Sequence, residues 1–299
     1  MLDYITRNHR MIRVGSRGSR LAVRQSEIVM NKIESAVPEI RTGLITMTTT
    51  GDRIQDKTLD KIGGKGLFVR ELDEALRDGR VDITVHSLKD LPKDIPEDLP
   101  LIAVTEREDP RDVLILPQGA CEIDMSLPAG TSSLRRSLQI RELYPGITTA
   151  PVRGNVETRL RKLDEGQYSA LIMAAAGIRR LGLEHRISRY FSCDEMIPAA
   201  GQGIIGIQAR RSDDNRWLEA VNDRDVMLCA MAERAFVRTA GADCGSPDTA
   251  FSWIEDGVIY ITGLRYDTTG QRIIRDRISG PAAMAEQLGQ ELDRRLMQK

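Results

Sequence analysis

Along this chain the spacing of apolar residues switches repeatedly between the strand period and the helix period, and the switches mark out its elements. The clearest strand signal is Val81, Ile83 and Val85, alternating with polar residues up to Lys89-Asp90, where Pro92 prevents simple continuation. Upstream, Met11 to Arg17 reads as a strand ending in a glycine turn. Arg20 to Val37 carries Leu21, Ile28, Val29, Ile33 and Val37 near helical spacing. Leu44 to Thr48 is a second strand, and Gly51 to Gly66 is polar, ending in Gly63-Gly64-Lys65-Gly66, which reads as a mobile loop. Leu67 to Arg77 repeats Leu67, Val69, Leu72 and Leu76 as a helix, stopped by Gly79. The β-α-β-α-β order predicts a doubly wound α/β lobe.

Leu101 to Glu108 is expected to cross to a second lobe of the same kind. There Val113 to Leu116, Thr148 to Val152 and Ala170 to Met173 are strands, and Gly130 to Arg136 and Val156 to Asp164 open or form helices. Ile197 to Gly203 is glycine-rich and precedes another apolar strand, Ile204 to Gln208. The tail changes character: a helix over Asp225 to Arg238, then strands over Ala250 to Ile254, Val258 to Leu264 and Gln271 to Ile278. Asp256-Gly257 is the hairpin turn, and Pro281 to Met297 a closing helix. The expected organisation is domain 1 over 1–105 and 197–217, domain 2 over 106–196, and a small α+β domain 3 over 218–299.

Composition adds limits. At 299 residues the chain can bury two or three cores. Its net charge of −1 gives no general attraction to nucleic acid. Met1 to Arg13 has no apolar core of a signal peptide, and the longest apolar run, Ala170 to Ile178, falls short of the roughly 20 residues that span a bilayer. Cys121, Cys193, Cys229 and Cys244 show no C-x-x-C spacing, so a reduced, cytoplasmic protein is expected, with no metal.

The candidate chemistry lies where strands end. Arg17, Arg135, Arg136, Arg153 and Arg180 each stand just past an apolar strand or in the turn that follows, and Arg159 lies one helical turn beyond Arg153. Two α/β lobes direct such positions into a common cleft. Converging guanidinium groups in a neutral protein call for a polyanion, and Thr131-Ser132-Ser133 adds hydroxyls and helix N-terminal amides. A structural salt bridge is the commoner fate of any one of these arginines. Asp90 is either a carboxylate at a reaction centre or a turn cap, and Lys89 its partner or a solvated charge. The Gly63 to Gly66 loop lacks phosphate-loop order; it reads as a hinged lid or a plain turn. Cys244, in a loop beside Asp243 and Gly245, is a nucleophile, an attachment point or an inert thiol.

From about Ile12 to the closing helix the chain resembles the hydroxymethylbilane synthases (porphobilinogen deaminases). The segments that carry the resemblance are Gly63-Gly64-Lys65-Gly66-Leu67-Phe68, Val85 to Pro92, Glu106 to Asp112, Gly130 to Arg136, Arg153-Gly154-Asn155, Pro198 to Gly203, and Glu233-Arg234 followed by Cys244-x-x-Pro247. The resemblance implies a cytoplasmic, monomeric transferase of tetrapyrrole and haem biosynthesis, with two periplasmic-binding-protein-like lobes around a cleft. It deaminates four porphobilinogens, joins them on a dipyrromethane cofactor held by a thioether, and releases hydroxymethylbilane by hydrolysis. It also implies Asp90 as the catalytic carboxylate and Cys244 as the attachment point. Arg17, Ser19, Ser87, Lys89, Thr131, Ser132, Ser133, Arg135, Arg136, Arg153, Asn155, Arg159, Arg180 and Gln202 match cofactor and substrate contacts. Gly63, Gly64, Lys65, Gly66 and Phe68 match the lid. Neither nucleic acid nor membrane is an expected partner. The alternative is a non-catalytic binding protein for anions or tetrapyrrole precursors.

One region departs from the family pattern. Small residues, commonly Gly-Gly, usually precede the cysteine and an apolar residue follows the proline. Here those places hold Ala242-Asp243 and Asp248.

Overall fold

The structure is a computed structural model and describes residues 10–50, 69–242 and 245–299. Three sheets organise these residues. The first is built from β1 (Arg10–Arg17), β2 (Ile40–Met47), β3 (Ile83–Ser87), β4 (Leu101–Val104) and β10 (Ile205–Ala209), in the order β2-β1-β3-β10-β4. β1 runs parallel to β2 and β3, while β10 runs antiparallel to β3 and β4. Helix α1 (Arg20–Ala36), capped by Ser19, buries Val29 and Ile33 against Val14, Ile83 and Val85. Helix α2 (Arg70–Arg77) buries Leu72 and Leu76. The polar positions of β3 are buried as well, with Thr84 and His86 bonded to each other at 2.9 Å. So this strand is covered on both sides, as the centre of a layered α/β sheet requires.

The second sheet takes β5 (Asp112–Ile115), β6 (Ala129–Gly130), β7 (Thr149–Ala150), β8 (Ala170–Ala174) and β9 (Arg189–Tyr190) in the order β7-β6-β8-β5-β9. Its strand directions repeat those of the first: two parallel pairs, then two antiparallel ones. Helices α3 (Leu134–Leu143), α4 (Val156–Asp164) and α5 (Ala175–Arg180) belong to this lobe. Leu101 to Val104, expected to begin the crossing, is instead the edge strand of the first sheet. The crossing follows it.

The third unit has α6 (Arg224–Thr239) and α7 (Ala285–Met297) on one face of an antiparallel sheet of β11 (Thr249–Glu255), β12 (Val258–Asp267) and β13 (Arg272–Pro281). Asp256 and Gly257 both have positive φ, 51° and 75°, as a two-residue hairpin turn demands. Gly289 lets α7 lie directly on α6, where a Cβ would strike the Ala232 carbonyl. Arg275 and Arg277 of β13 pair with Glu142 and Asp194 of the second lobe.

Two connections join the first two sheets, one on each side of the second lobe, and they run together. Glu108 N–H donates to Gly203 O at 3.1 Å. Gly203 has φ +88°, and a Cβ there would strike the Glu108 carbonyl, so both conformation and space require glycine. Beside this contact, Arg107 makes a two-pronged ion pair with Glu233 of α6, at 2.7 and 2.9 Å, and donates to Gln202 O at 2.9 Å. Glu233 is fully buried and also accepts from Gly201 N at 2.7 Å and Ser252 N at 2.8 Å. One carboxylate thus ties both connections to the third unit. No helix among the described residues is long and apolar enough to cross a membrane.

Candidate active site

β3 delivers its chemistry through a 3₁₀ turn, Leu88–Asp90. Leu88 is buried and its N–H is taken by Ile204 O at 3.0 Å, which leaves Lys89 half-buried and Asp90 exposed. From the second lobe, β6 leads through Thr131, Ser132 and Ser133 into α3, whose first turn holds Arg135 and Arg136, both buried. Buried guanidinium groups need a counter-charge. It comes from Asp112, the first residue of β5 and itself fully buried. Asp112 accepts from Arg135 Nη1 at 2.6 Å and from Arg136 Nε and Nη2 at 2.9 and 2.7 Å. Burial alone would push the Asp112 carboxyl up, but the two arginines hold it well below the usual carboxylate range.

Gln202 completes the cluster. Its amide nitrogen donates to Asp112 Oδ1 at 3.0 Å and Pro110 O at 2.7 Å. Its oxygen faces Arg136 Nη2 at 3.3 Å and Lys89 Nζ at 3.4 Å. Lys89 therefore shares one glutamine oxygen with a guanidinium group. Burial first, then Arg136, brings its ammonium down to about 8, against the opposing pull of Asp90 and Asp112. Arg159, in the second turn of α4, falls to about 10 for the same two reasons, burial and Arg136, with Asp90 opposing. Its Nε donates to Gly154 O at 2.8 Å. Lys89, Asp90, Arg135, Arg136, Arg159 and Gln202 thus act within one electrostatic field. Arg153 joins it through Arg159.

Several other predicted residues are placed by local bonds. Ser133 caps α3, accepting from Arg136 N at 3.5 Å, and Thr131 Oγ1 accepts from Ser133 N at 3.2 Å. Ser132 is exposed, and its hydroxyl bonds Val152 O at 2.8 Å and accepts from Val152 N at 3.1 Å, bracing the strand-end loops. Asn155 caps α4 through Thr158 N at 2.9 Å. Arg180 reaches back to Gly203 O at 2.6 Å, and burial lowers it to about 10. Ser87 is paired with Gln25 of α1. Arg17 and Ser19 stand at the β1–α1 turn. Burial, then the charge of Arg17, depresses His86 to about 3. Gly63, Gly64, Lys65, Gly66, Phe68 and Cys244 lie outside the described residues.

A cavity of about 100 Å³ opens where the three units meet. Lys89 comes from the first lobe, Ser133 and Arg135 from the second, and Ala242, Ser246 and Asp248 from either side of Cys244. Sequence reasoning missed Asp112 and Glu233 as site-forming residues. The available signal was a charge heading an apolar run, Asp112-Val113-Leu114-Ile115, which demands a buried partner. Among the described residues no cluster of His, Cys, Asp and Glu could hold a metal.

Comparison with known proteins agrees with this architecture. Residues 12–218 match the family model described as porphobilinogen deaminase, dipyromethane cofactor binding domain, and residues 227–298 match the porphobilinogen deaminase C-terminal domain. The chain is 54% identical over 281 residues to the porphobilinogen deaminase of Acetivibrio thermocellus, covering 94% of this chain and 96% of that one. The Alkaliphilus oremlandii protein of that name is 52% identical, over 93% and 94% of the two chains. The one from Chromobacterium violaceum is 44% identical, over 95% and 93%. Among solved structures, the periplasmic VFT2 domain of Bordetella pertussis BvgS aligns at 12% identity with a TM-score of 0.39, over 71% of this chain and 84% of that one.

Proposed function

The chain belongs to the porphobilinogen deaminase family, and from that premise we propose how its residues divide the work. Its activity is that of a hydroxymethylbilane synthase, a transferase that deaminates four porphobilinogens and joins them head to tail, with dipyrromethane as cofactor. When bound, the cofactor supplies a free pyrrole carbon from which the chain is extended.

The observation that carries the assignment of the site is the surplus of cations at the meeting of the lobes. One carboxylate, Asp112, faces two guanidinium groups, Arg135 and Arg136, and Lys89 Nζ stands 3.4 Å from the Gln202 oxygen that Arg136 also faces. Burial first, then Arg136, brings the Lys89 ammonium down to about 8. Such a field binds anions, and every porphobilinogen unit carries an acetate and a propionate. The donor set therefore fits the cofactor. Lys89, Arg153 and Arg159, with Thr131 and Ser133, would take carboxylates; Arg17, Ser19 and Arg180 would serve units farther along the cleft. Arg135, Arg136, Gln202 and Ser132 are committed to internal bonds and act by fixing their neighbours. Ser87 and Asn155 hold the turns.

Asp90 is the proposed catalytic carboxylate. It is exposed at the tip of the 3₁₀ turn with Lys89 beside it and Arg159 within its field. As ammonia leaves porphobilinogen, the pyrrole methylene becomes electron-poor. An ionised Asp90 offsets that charge, and its carboxylate takes the proton released when the new carbon–carbon bond closes. Cys244 is proposed to hold the cofactor by a thioether, in a monomer working in the cytoplasm. The three-domain division of 1–105 with 197–217, 106–196 and 218–299 is part of the same reading, supported by the three sheets and by the family resemblance.

Intact mass of the purified protein beside a Cys244→Ser variant tests this. The expected result is an increment of two porphobilinogens less two ammonias, present only with Cys244. A parent that stays bare after incubation with porphobilinogen or preformed hydroxymethylbilane would overturn the attachment reading.

A further inference from the structure

The segment bearing Cys244 is held at both ends, and the downstream anchor is built from residues that the reaction does not itself require. Upstream, Gly241 O accepts from Lys93 Nζ at 3.0 Å, and Ala242 N closes on Val237 O at 3.0 Å. Downstream, Thr249 opens β11, donating to Pro198 O and accepting from Ala200 N, both at 2.9 Å. Between Cys244 and Thr249 stands Asp248, a carboxylate where the resembled family has an apolar side chain.

Asp248 is not a solvated surface charge. Its side chain is only 13% exposed and it lines the cavity shared with Lys89, Ser133 and Arg135. Thr249 pairs with Leu264 in the ladder, so Asp248 lies across from Arg265. One carboxylate oxygen accepts from Tyr266 N at 2.9 Å; the other stands 3.8 Å from Arg265 Nε. Arg265 Nη1 in turn donates at 2.6 Å to Asp293 of α7, which is fully buried. The second oxygen of Asp293 has no hydrogen-bond partner among the described residues. Two carboxylates thus compete for one guanidinium group, which links the loop to the helix that closes the third unit.

We infer that Asp248 is a positioning residue for cofactor attachment: Asp248, Arg265 and Asp293 fix the downstream end of the Cys244 loop. The arrangement has an electrostatic logic. An acidic side chain beside a site for a polyanionic cofactor is repulsive unless a cation faces it. Arg265, which does not line the cavity, supplies that cation, leaving Lys89 and Arg135 to their own partners, Gln202 and Asp112. The inference rests on Cys244 as attachment point.

The test follows attachment itself rather than turnover. Full-length protein purified without cofactor is given preformed hydroxymethylbilane, and the mass increment is timed by intact mass spectrometry. The comparison takes Asp248→Asn, Asp248→Val, Arg265→Met and the Asp248→Val/Arg265→Met double variant. Asn keeps an acceptor for Tyr266 N–H and loses only the charge; Val loses both. Attachment is expected to slow about tenfold in Asp248→Val and less in Asp248→Asn. The double variant should be slowed by clearly less than the product of the single effects, because Arg265 reaches the loop through Asp248 while also holding Asp293. Three results would overturn the inference: Asp248→Val loading within about twofold of the parent, a double variant slowed by the product of the single effects, or slowing that merely tracks the unfolded fraction measured by circular dichroism. Should Asp248→Val not fold, Asp248→Asn against Arg265→Met makes the same comparison. A parent that loads equally well as Cys244→Ser would instead remove the attachment reading and this inference with it. Normal loading of the parent with an indifferent Asp248→Val removes this inference alone.

Discussion

Replacing Asp73 by Asn should stabilise the protein at pH 8 and do little at pH 4. Asp73 lies on α2, which packs beside β3, and is only 8% exposed, with one carboxylate oxygen lacking a hydrogen-bond partner among the described residues. Burial pushes its carboxyl up to about 6; Arg77 opposes this, and Asp98 and Glu74 add to it. A folded-state value above the unfolded one means that the folded protein binds the proton more tightly. The ionised form therefore destabilises the fold, and that cost grows as pH rises from about 4 to about 6, then stays. A shift from 3.8 to about 6 corresponds to about 3 kcal/mol at full development. The Asn side chain recovers part of this, since its amide also needs partners, and a gain of roughly 1–3 kcal/mol at pH 8 is expected. Thermal melts of the holoenzyme and the variant, at pH 4.5 and pH 8, measure the difference. At roughly 2–4 °C per kcal/mol for chains approaching this size, the midpoint should rise several degrees at the higher pH. A gap equal at both pH values, or a variant less stable at pH 8, would refute the account of Asp73 as a buried carboxylate held ionised against its environment.

Other changes separate the roles assigned above. Asp90→Asn should retain the cofactor mass and lose turnover by about a hundredfold or more; near-parental activity would remove Asp90 from catalysis. Glu233→Gln breaks the ion pair with Arg107 while leaving that guanidinium nearly buried, and should cost about 3–5 kcal/mol in urea denaturation. Lys89 is charged below about 8 and neutral above it, so the KM for porphobilinogen should climb as pH passes that value. Lys89→Arg keeps its charge throughout, and its KM should stay flatter over the same range.

What the sequence revealed and what it concealed divide along the range of the interactions. Helix α4 was legible to the residue, because Asn155 caps it and its apolar side is local. The Asp256-Gly257 turn and the three strands of the last unit were legible for the same reason: neighbours along the chain form them. The place of Lys89 and Asp90 just past β3 also followed, from alternation stopped near Pro92. Hidden were the pairings between distant segments. Nothing local says that β10 enters between β3 and β4, or that two-residue strands such as β6 and β7 suffice to hold a loop of hydroxyls. The arginines were visible as a set, but their division was not. Arg135 and Arg136 spend half of their side-chain bonds on Asp112, which lies more than twenty residues earlier, and the rest on Ile197, Ile172 and Gln202, yet the pair reads the same in sequence as one that points outward.

The insertion of β10 has a bearing on how the chain is made. β3 and β4 leave the ribosome with a gap between them that only residues 205–209 can fill. Those residues emerge about a hundred positions after β4, roughly 5–20 s later at ordinary elongation rates. During that interval the facing edges of both strands present unpaired N–H and C=O groups. The second lobe faces no such delay, since all five of its strands fall between Asp112 and Tyr190. It can therefore finish first although the other begins first. The nascent first lobe is then the species most in need of a chaperone.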